Sequence, residues 1–261
     1  MPPLSSNPLR RRLAGGGVAL GFGVRLVRGV EIVNLAAGCG YDWLFIDLEH
    51  GPASVETAAG IATAALGAGL APLARVSAAD YTTAARILDA GAWGVLMSHV
   101  ESAADAREAV ARLKFPPDGH RSVSYSLAQL GHQPMRQADA ARQFNDAMLI
   151  VAMIESRKAV EAAGDIAAVP GIDALFVGAN DLATDLGVPG DFANPAIANA
   201  CAQVVSACTT HGKWPALGGV YTEEPLRRYV DLGMRLVLGG TDMALLLEGA
   251  RQRAEMIRRL C

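Results

Sequence analysis

From residue 18 to the end of the chain, short apolar runs alternate with longer stretches rich in alanine. Residues 18–24, 43–47, 71–75, 94–98, 148–154, 174–178, 216–219 and 236–239 read as buried strands. The segments between them, 31–37, 55–67, 81–90, 103–113, 156–163, 196–211, 224–232 and 243–259, space their apolar residues as one helix face does. Ala84 with Ile87 and Leu88, and Cys201 with Val204 and Val205, are examples. Strict alternation of strand and helix predicts a parallel sheet. Eight such units in 261 residues match a closed (β/α)8 (TIM) barrel, with an open doubly wound sheet as the rival. No sharp boundary divides 1–261, so a single domain is expected, with 1–16 as a flexible N-terminal segment. The polar stretch 116–145 interrupts the alternation between strands four and five. It reads as a functional loop on the face that carries strand ends, a lid or a substrate contact.

The second strand ends in an unusual way: Phe45-Ile46 runs into Asp47-Leu48-Glu49-His50-Gly51-Pro52. Charge at the end of a buried strand is costly without a purpose. In a barrel, strand C-termini form the mouth where chemistry is done. Arg75 ends strand three, Glu155 follows strand five, and Gly178-Ala179-Asn180-Asp181 follows strand six, so all fall on that face. His50 is the best candidate base, since an imidazole titrates near neutral pH, and Asp47 stands three residues away to orient it. His99 follows strand four and suits an accessory polar role. Arg75 suits a carboxylate or a developing enolate oxygen, or else a structural ion pair with Asp47 or Glu49. Glu155 and Asp181, on neighbouring strands with no His or Cys beside them, suit a hard divalent ion. Alternatively, each is an acid at a helix N-terminus. Gly218-Gly219 and Gly239-Gly240-Thr241-Asp242 either cradle an anion or form tight turns.

Composition removes several alternatives. The chain has only three lysines, Lys114, Lys158 and Lys213, none placed at the mouth, which argues against imine chemistry and leaves a metal as electron sink. The net charge of −3 offers no broad basic surface, which argues against a nucleic-acid partner. No uncharged apolar stretch is long enough for a bilayer, and Arg10-Arg11-Arg12 lacks the apolar core of an export signal. The four cysteines lack CxxC spacing, which points to reduced thiols and a cytoplasmic protein.

The run Asp42-Trp43-Leu44-Phe45-Ile46-Asp47-Leu48-Glu49-His50-Gly51 resembles the signature of the HpcH/HpaI aldolase/citrate lyase family. The likeness continues through Leu88-Asp89-Ala90-Gly91-Ala92, Phe115-Pro116-Pro117-Asp118-Gly119-His120-Arg121, Ile154-Glu155-Ser156 and Gly178-Ala179-Asn180-Asp181-Leu182. It implies a TIM barrel and a class II aldolase that cleaves or forms a C–C bond of a 2-oxo-4-hydroxy acid. The products are pyruvate, or a related 2-oxo acid, and an aldehyde, formed through an enolate that a divalent metal (Mg²⁺, Mn²⁺ or Co²⁺) stabilises. By this resemblance Glu155 and Asp181 are the metal ligands, and His50 is the base with Asp47 as its partner. Arg75 binds the keto oxygen, and amides from Gly178 through Ala179, Asn180 and Asp181 hold the carboxylate. Asp89 is implied to reach a neighbouring subunit's site in a hexamer, a trimer of dimers with the last helix exchanged.

The chain departs from the pattern of the better-studied pyruvate aldolases. Met153 stands where they carry Gln, Gly178-Ala179-Asn180-Asp181 replaces Gly-Pro-Ala-Asp, and Arg25 and Arg28 replace an aromatic-lined strand-one region. A substrate other than the standard sugar acid is therefore expected. The alternatives are a citrate-lyase-like reaction on a CoA ester or a dicarboxylate, and a non-catalytic 2-oxo acid binding barrel.

Overall fold

The computed structural model describes residues 7–124 and 126–260. The chain runs α1 (Pro8–Ala14), β1 (Ala19–Val24), α2 (Glu31–Gly38), β2 (Trp43–Asp47), α3 (Val55–Gly67), β3 (Ala71–Val76), α4 (Tyr81–Asp89), β4 (Gly94–Met97), α5 (Ala103–Leu113) and α6 (Gln137–Ala147). It continues through β5 (Leu149–Ile154), α7 (Arg157–Glu161), α8 (Ala163–Ala167), β6 (Ala174–Gly178), α9 (Ala179–Asp185), α10 (Pro195–His211), β7 (Trp214–Gly218), α11 (Glu223–Leu232), β8 (Leu236–Thr241) and α12 (Asp242–Arg258). The eight strands pair in parallel in sequence order, and β1 pairs with β8 to close the barrel. The open sheet is thereby excluded.

Alternation along the strands sorts side chains into two cores. Leu44, Ile46, Ala74, Ile150, Ala152 and Val177 face the helices and join one apolar layer. Trp43, Phe45, Leu73, Leu149, Val151, Met153 and Phe176 fill the barrel interior. The same parity carries Asp47, Arg75, Glu155 and Gly178 inward, two residues beyond Phe45, Leu73, Met153 and Phe176. Asp47 and Arg75 are register partners across β2 and β3. The sequence therefore stacks an apolar plug and sets a charged layer on it.

On the mouth side, Ser54, Asp80, Ser102 and Ser156 each accept a backbone N–H and start a helix. At the opposite end α1 seals the barrel. Leu9 and Leu13 join the interior core, each contributing roughly 1.5–3 kcal/mol on full burial. Asn7 donates to the Ala147 carbonyl at 2.9 Å, and Arg10 pairs with Asp173. Residues 1–6 of the expected flexible segment lie outside the described residues, whereas 7–14 form this packed helix and its cap, a correction to the sequence reading.

A second correction concerns 116–145. The stretch follows α5, which has already returned the chain to the end of the barrel away from the mouth. It is an αβ connection, so it is not a lid. Leu127 and Leu130 are buried, and α6 belongs partly to it. The Arg121 guanidinium lies 4.6 Å from the Phe115 ring centre and 5.0 Å from that of Phe144. Tyr125 lies outside the described residues.

Candidate active site

The mouth holds a cavity of about 270 Å³ whose lining includes Asp47, His50, Arg75, Met153, Glu155 and the run from Gly178 to Asp181. Arg25, Gly219, Tyr221 and Thr241 complete its rim. Of the catalytic, substrate-binding and metal residues that the resemblance implies, Asp89 alone is not in its lining. Asp89 ends α4 on the far side of the barrel, where Arg121 donates to it at 2.6 Å.

Asp47 is 2% exposed and organises the β2 end. Its Oδ1 accepts from Arg75 Nε at 3.1 Å, and its Oδ2 from Arg75 Nη2 at 2.6 Å. Oδ1 also takes the amides of Glu49 (3.1 Å) and His50 (3.0 Å). Burial alone would raise this carboxyl, but the Arg75 fork and the two amides outweigh it and hold the pKa below the ordinary aspartate value. Asp47 thus meets His50 through its backbone, where the sequence reading paired it with the ring. The His50 ring lies instead beside Glu49, whose Oε2 is 3.9 Å from Nε2. Glu49 is itself held by Ser98 Oγ at 2.7 Å and by Arg75 Nη1 at 3.3 Å. A guanidinium carries five N–H groups. With Nε, Nη1 and Nη2 each making one of these contacts, Arg75 keeps two for a ligand.

Glu155 is 4% exposed. Its Oε2 accepts the His99 amide at 3.1 Å, and His99 Nδ1 lies 3.5 Å away. His99 adopts φ 51°, the left-handed region that non-glycine residues rarely enter, and this turn aims its amide at the carboxylate. Burial raises the Glu155 pKa; the His99 amide and charge oppose that rise, while Asp181 adds to it. A buried carboxylate held high beside a second carboxylate is a site short of positive charge. Its oxygen donors suit a hard divalent ion, so these residues fit the metal that the resemblance implies. Among the described residues no cluster of three or more His, Cys, Asp or Glu could hold a metal. The protein therefore offers two carboxylates and leaves other positions to water or ligand.

Gly178 makes room for this arrangement. A Cβ there would come within 2.6 Å of Glu155 Oε1. Gly178→Ala is expected to displace the carboxylate and weaken Mn²⁺ binding about 10–100-fold, the loss usual when a metal ligand's support is disturbed. Electron paramagnetic resonance titration of free Mn²⁺ measures this, and an unchanged affinity would remove Glu155 from the metal site. Next to Gly178, α9 starts with no side-chain cap, so its first amides are open at the mouth.

Sequence reasoning did not single out Ser98 or Tyr221, noted Arg25 only as a departure, and took Asp242 only as the end of a glycine run. The Asp242 carboxylate, 5% exposed, accepts the amides of Arg25 (3.0 Å), Leu26 (2.9 Å), Val27 (2.7 Å) and Met243 (2.7 Å). Gly240, two residues before it, takes φ 135°, a left-handed turn conformation that favours glycine, and Asp242 itself clamps the β1 loop. The only sequence signal was an acid directly after a strand, the same signal that marked Glu155.

Comparison with known proteins places these features in a family. Residues 29–248 match the family model of the HpcH/HpaI aldolase/citrate lyases. A 4-hydroxy-4-methyl-2-oxoglutarate aldolase from Hapsidospora irregularis is 38% identical over 257 residues, covering 95% of this chain and 93% of that protein. A 4-hydroxy-2-oxo-heptane-1,7-dioate aldolase from Salmonella paratyphi C is 34% identical over 249 residues, covering 95% and 93%. The crystal structure of an HpcH/HpaI aldolase from Desulfitobacterium hafniense superposes with a TM-score of 0.90 at 30% identity, over 96% of each chain.

Proposed function

The chain belongs to the HpcH/HpaI aldolase/citrate lyase family, and we propose that its barrel mouth is the active site through which it works as a carbon–carbon lyase on 4-hydroxy-2-oxo acids. The observation that carries the assignment is the pairing of a buried, charge-deficient Glu155 with Asp181 across the cavity from His50 and Arg75. Glu155 and Asp181 would hold Mg²⁺, Mn²⁺ or Co²⁺. When bound, the ion supplies the positive charge that lowers the cost of an enolate.

The open amides of Ala179, Asn180 and Asp181 receive the substrate's 1-carboxylate. The two spare N–H groups of Arg75 face the 2-oxo oxygen, and its other donors stay fixed by Asp47 and Glu49. His50 takes the proton of the 4-hydroxyl. The C3–C4 bond then breaks, its electrons pass toward the keto oxygen, and C4 leaves as the aldehyde. The His50 imidazolium then returns its proton to C3, which completes pyruvate, and the same exchange at C3 is what solvent deuterium reads. The packed side chains of Phe45, Met153 and Phe176 close the cavity floor against water. Met153 places a thioether 3.7 Å from Ser98 Oγ, which favours a substrate without a hydroxyl to satisfy there.

In D₂O with Mg²⁺, pyruvate methyl protons should exchange, and EDTA should stop the exchange. Proton NMR reads this without the aldehyde being known. A well-folded protein showing no exchange with any of the three ions would sink the reading.

We also assign the last helix to a partner. On α12 only Asp242 is buried, while Leu245, Leu246 (62% exposed), Leu247, Met256 and Ile257 face outward. An apolar groove of about 540 Å³, lined by Leu20, Phe22, Ile32, Leu35 and Tyr41, lies beside its root. A second copy's α12 supplies matching chemistry for that groove, in keeping with a hexamer in which Asp89 serves a neighbouring site. Leu246→Glu should therefore shift the protein to a smaller species in size-exclusion chromatography with light scattering; an unchanged mass would refute helix exchange. The thiols of Cys39, Cys201 and Cys208 are unpaired, which supports a reducing, cytoplasmic setting.

A further inference from the structure

We propose that Arg25 is a specificity residue that binds a second carboxylate at the distal end of the substrate. This rests on the reading of the mouth as a 2-oxo acid site. In an eight-stranded barrel β1 lies opposite β5, and β2 opposite β6. With the 2-oxo acid end at Glu155 and Asp181, after β5 and β6, the substrate chain extends toward β1 and β2. His50, after β2, then stands beside C4, and Arg25, after β1, stands beyond it.

Arg25 has donors to give. Its Nε reaches the His50 carbonyl at 3.4 Å and lies 3.8 Å from Asp47 Oδ2, too far for a hydrogen bond. Asp47 is already satisfied by Arg75 and two amides. No hydrogen bond from Nη1 or Nη2 of Arg25 is present among the described residues. The guanidinium lines the cavity, and Asp242 fixes the backbone that carries it.

The chemistry selects a carboxylate. A guanidinium fork matches two carboxylate oxygens. A phosphate would need further donors, yet the loop amides at Arg25, Leu26 and Val27 are spent on Asp242, and none of the three lysines lines the cavity.

Two inert ligands that differ only at the far end test this: 2-oxoglutarate, with a distal carboxylate, and 2-oxopentanoate, with a methyl group. Isothermal titration calorimetry with Mg²⁺ should show the wild-type protein binding 2-oxoglutarate at least about tenfold more tightly, as expected for a charge-assisted hydrogen bond. In Arg25→Met the ratio should fall to near one, and Arg25→Lys should keep part of it. Circular dichroism verifies folding of each variant. If wild type shows no preference, or Arg25→Met keeps it in full, the distal subsite does not exist. Titrating pyruvate in parallel separates the failures. Pyruvate binding with a flat ratio overturns the Arg25 assignment alone, whereas no binding of any 2-oxo acid overturns both it and the active-site reading.

Discussion

His50→Ala is expected to slow metal-dependent exchange of pyruvate methyl protons by about 10²–10⁴-fold, the usual contribution of a positioned general base. The effect should be large because no neighbour can substitute. Asp47 is locked to Arg75, and Glu49 is tied to Ser98 and Arg75. His99 is turned toward Glu155 on the metal side of the mouth. Among the described residues the half-exposed His50 ring makes no hydrogen bond that the fold depends on, so the variant should fold. Mn²⁺ binding measured on the same preparation separates loss of the base from loss of the metal. Exchange within a few-fold of wild type would show that another group moves the proton.

Arg75→Ala should damage both stability and rate. It leaves the Asp47 carboxylate in the barrel interior without its bidentate partner, and breaking a buried pair costs about 3–5 kcal/mol. Losing a donor aimed at the developing oxyanion costs a further 10²–10³-fold in rate, roughly 2.7–4 kcal/mol of barrier. Arg75→Lys should restore little of either, because an ammonium cannot form the two-point contact. The double replacement Asp47→Ala with Arg75→Ala removes both charges and should regain much of the stability but none of the activity.

The pH dependence has a definite sign. In the wild type, Asp47 has a folded pKa below its unfolded value. Its stabilisation is therefore fully present above the ordinary aspartate pKa and is lost as pH falls through the folded one. In Arg75→Ala the fork that lowers the pKa is gone while burial, which raises it, stays, so the folded pKa moves up toward or past the unfolded value. The stability that the variant loses as pH falls should therefore be smaller than that lost by the wild type. Urea unfolding across pH measures both, and parallel curves for the two proteins would contradict the role given to this pair.

The barrel was legible in the sequence because each strand buries both faces and each is followed by a helix of matching period. Asp47, Arg75 and Glu155 stood out because a charge at the end of a buried apolar run is costly without a purpose. Other features depended on spatial facts that the linear pattern does not carry. The stretch 116–145 looks like a lid until one counts that α5 has already crossed to the other end. Leu9 and Leu13 give too short an apolar signal to announce a helix, and α1 is held instead by its fit under the barrel. The left-handed His99 and the amide clamp of Asp242 are backbone geometries, and neither has a residue-type signature. The link from Asp47 to the amide of His50, where the ring was expected, follows from the tight turn after β2.

The Asp242 clamp separates the shape of a loop from its sequence. Three consecutive amides of the β1 loop are fixed by one carboxylate more than 200 residues away, and amides are common to every residue except proline. The side chains at 25, 26 and 27 are thereby relieved of holding the loop in place. A lineage, or an engineer, can exchange them to change what the mouth accepts while the scaffold beneath stays constant. Divergence in substrate among barrels of this kind can then arise in a few steps at one rim, without rebuilding the catalytic layer.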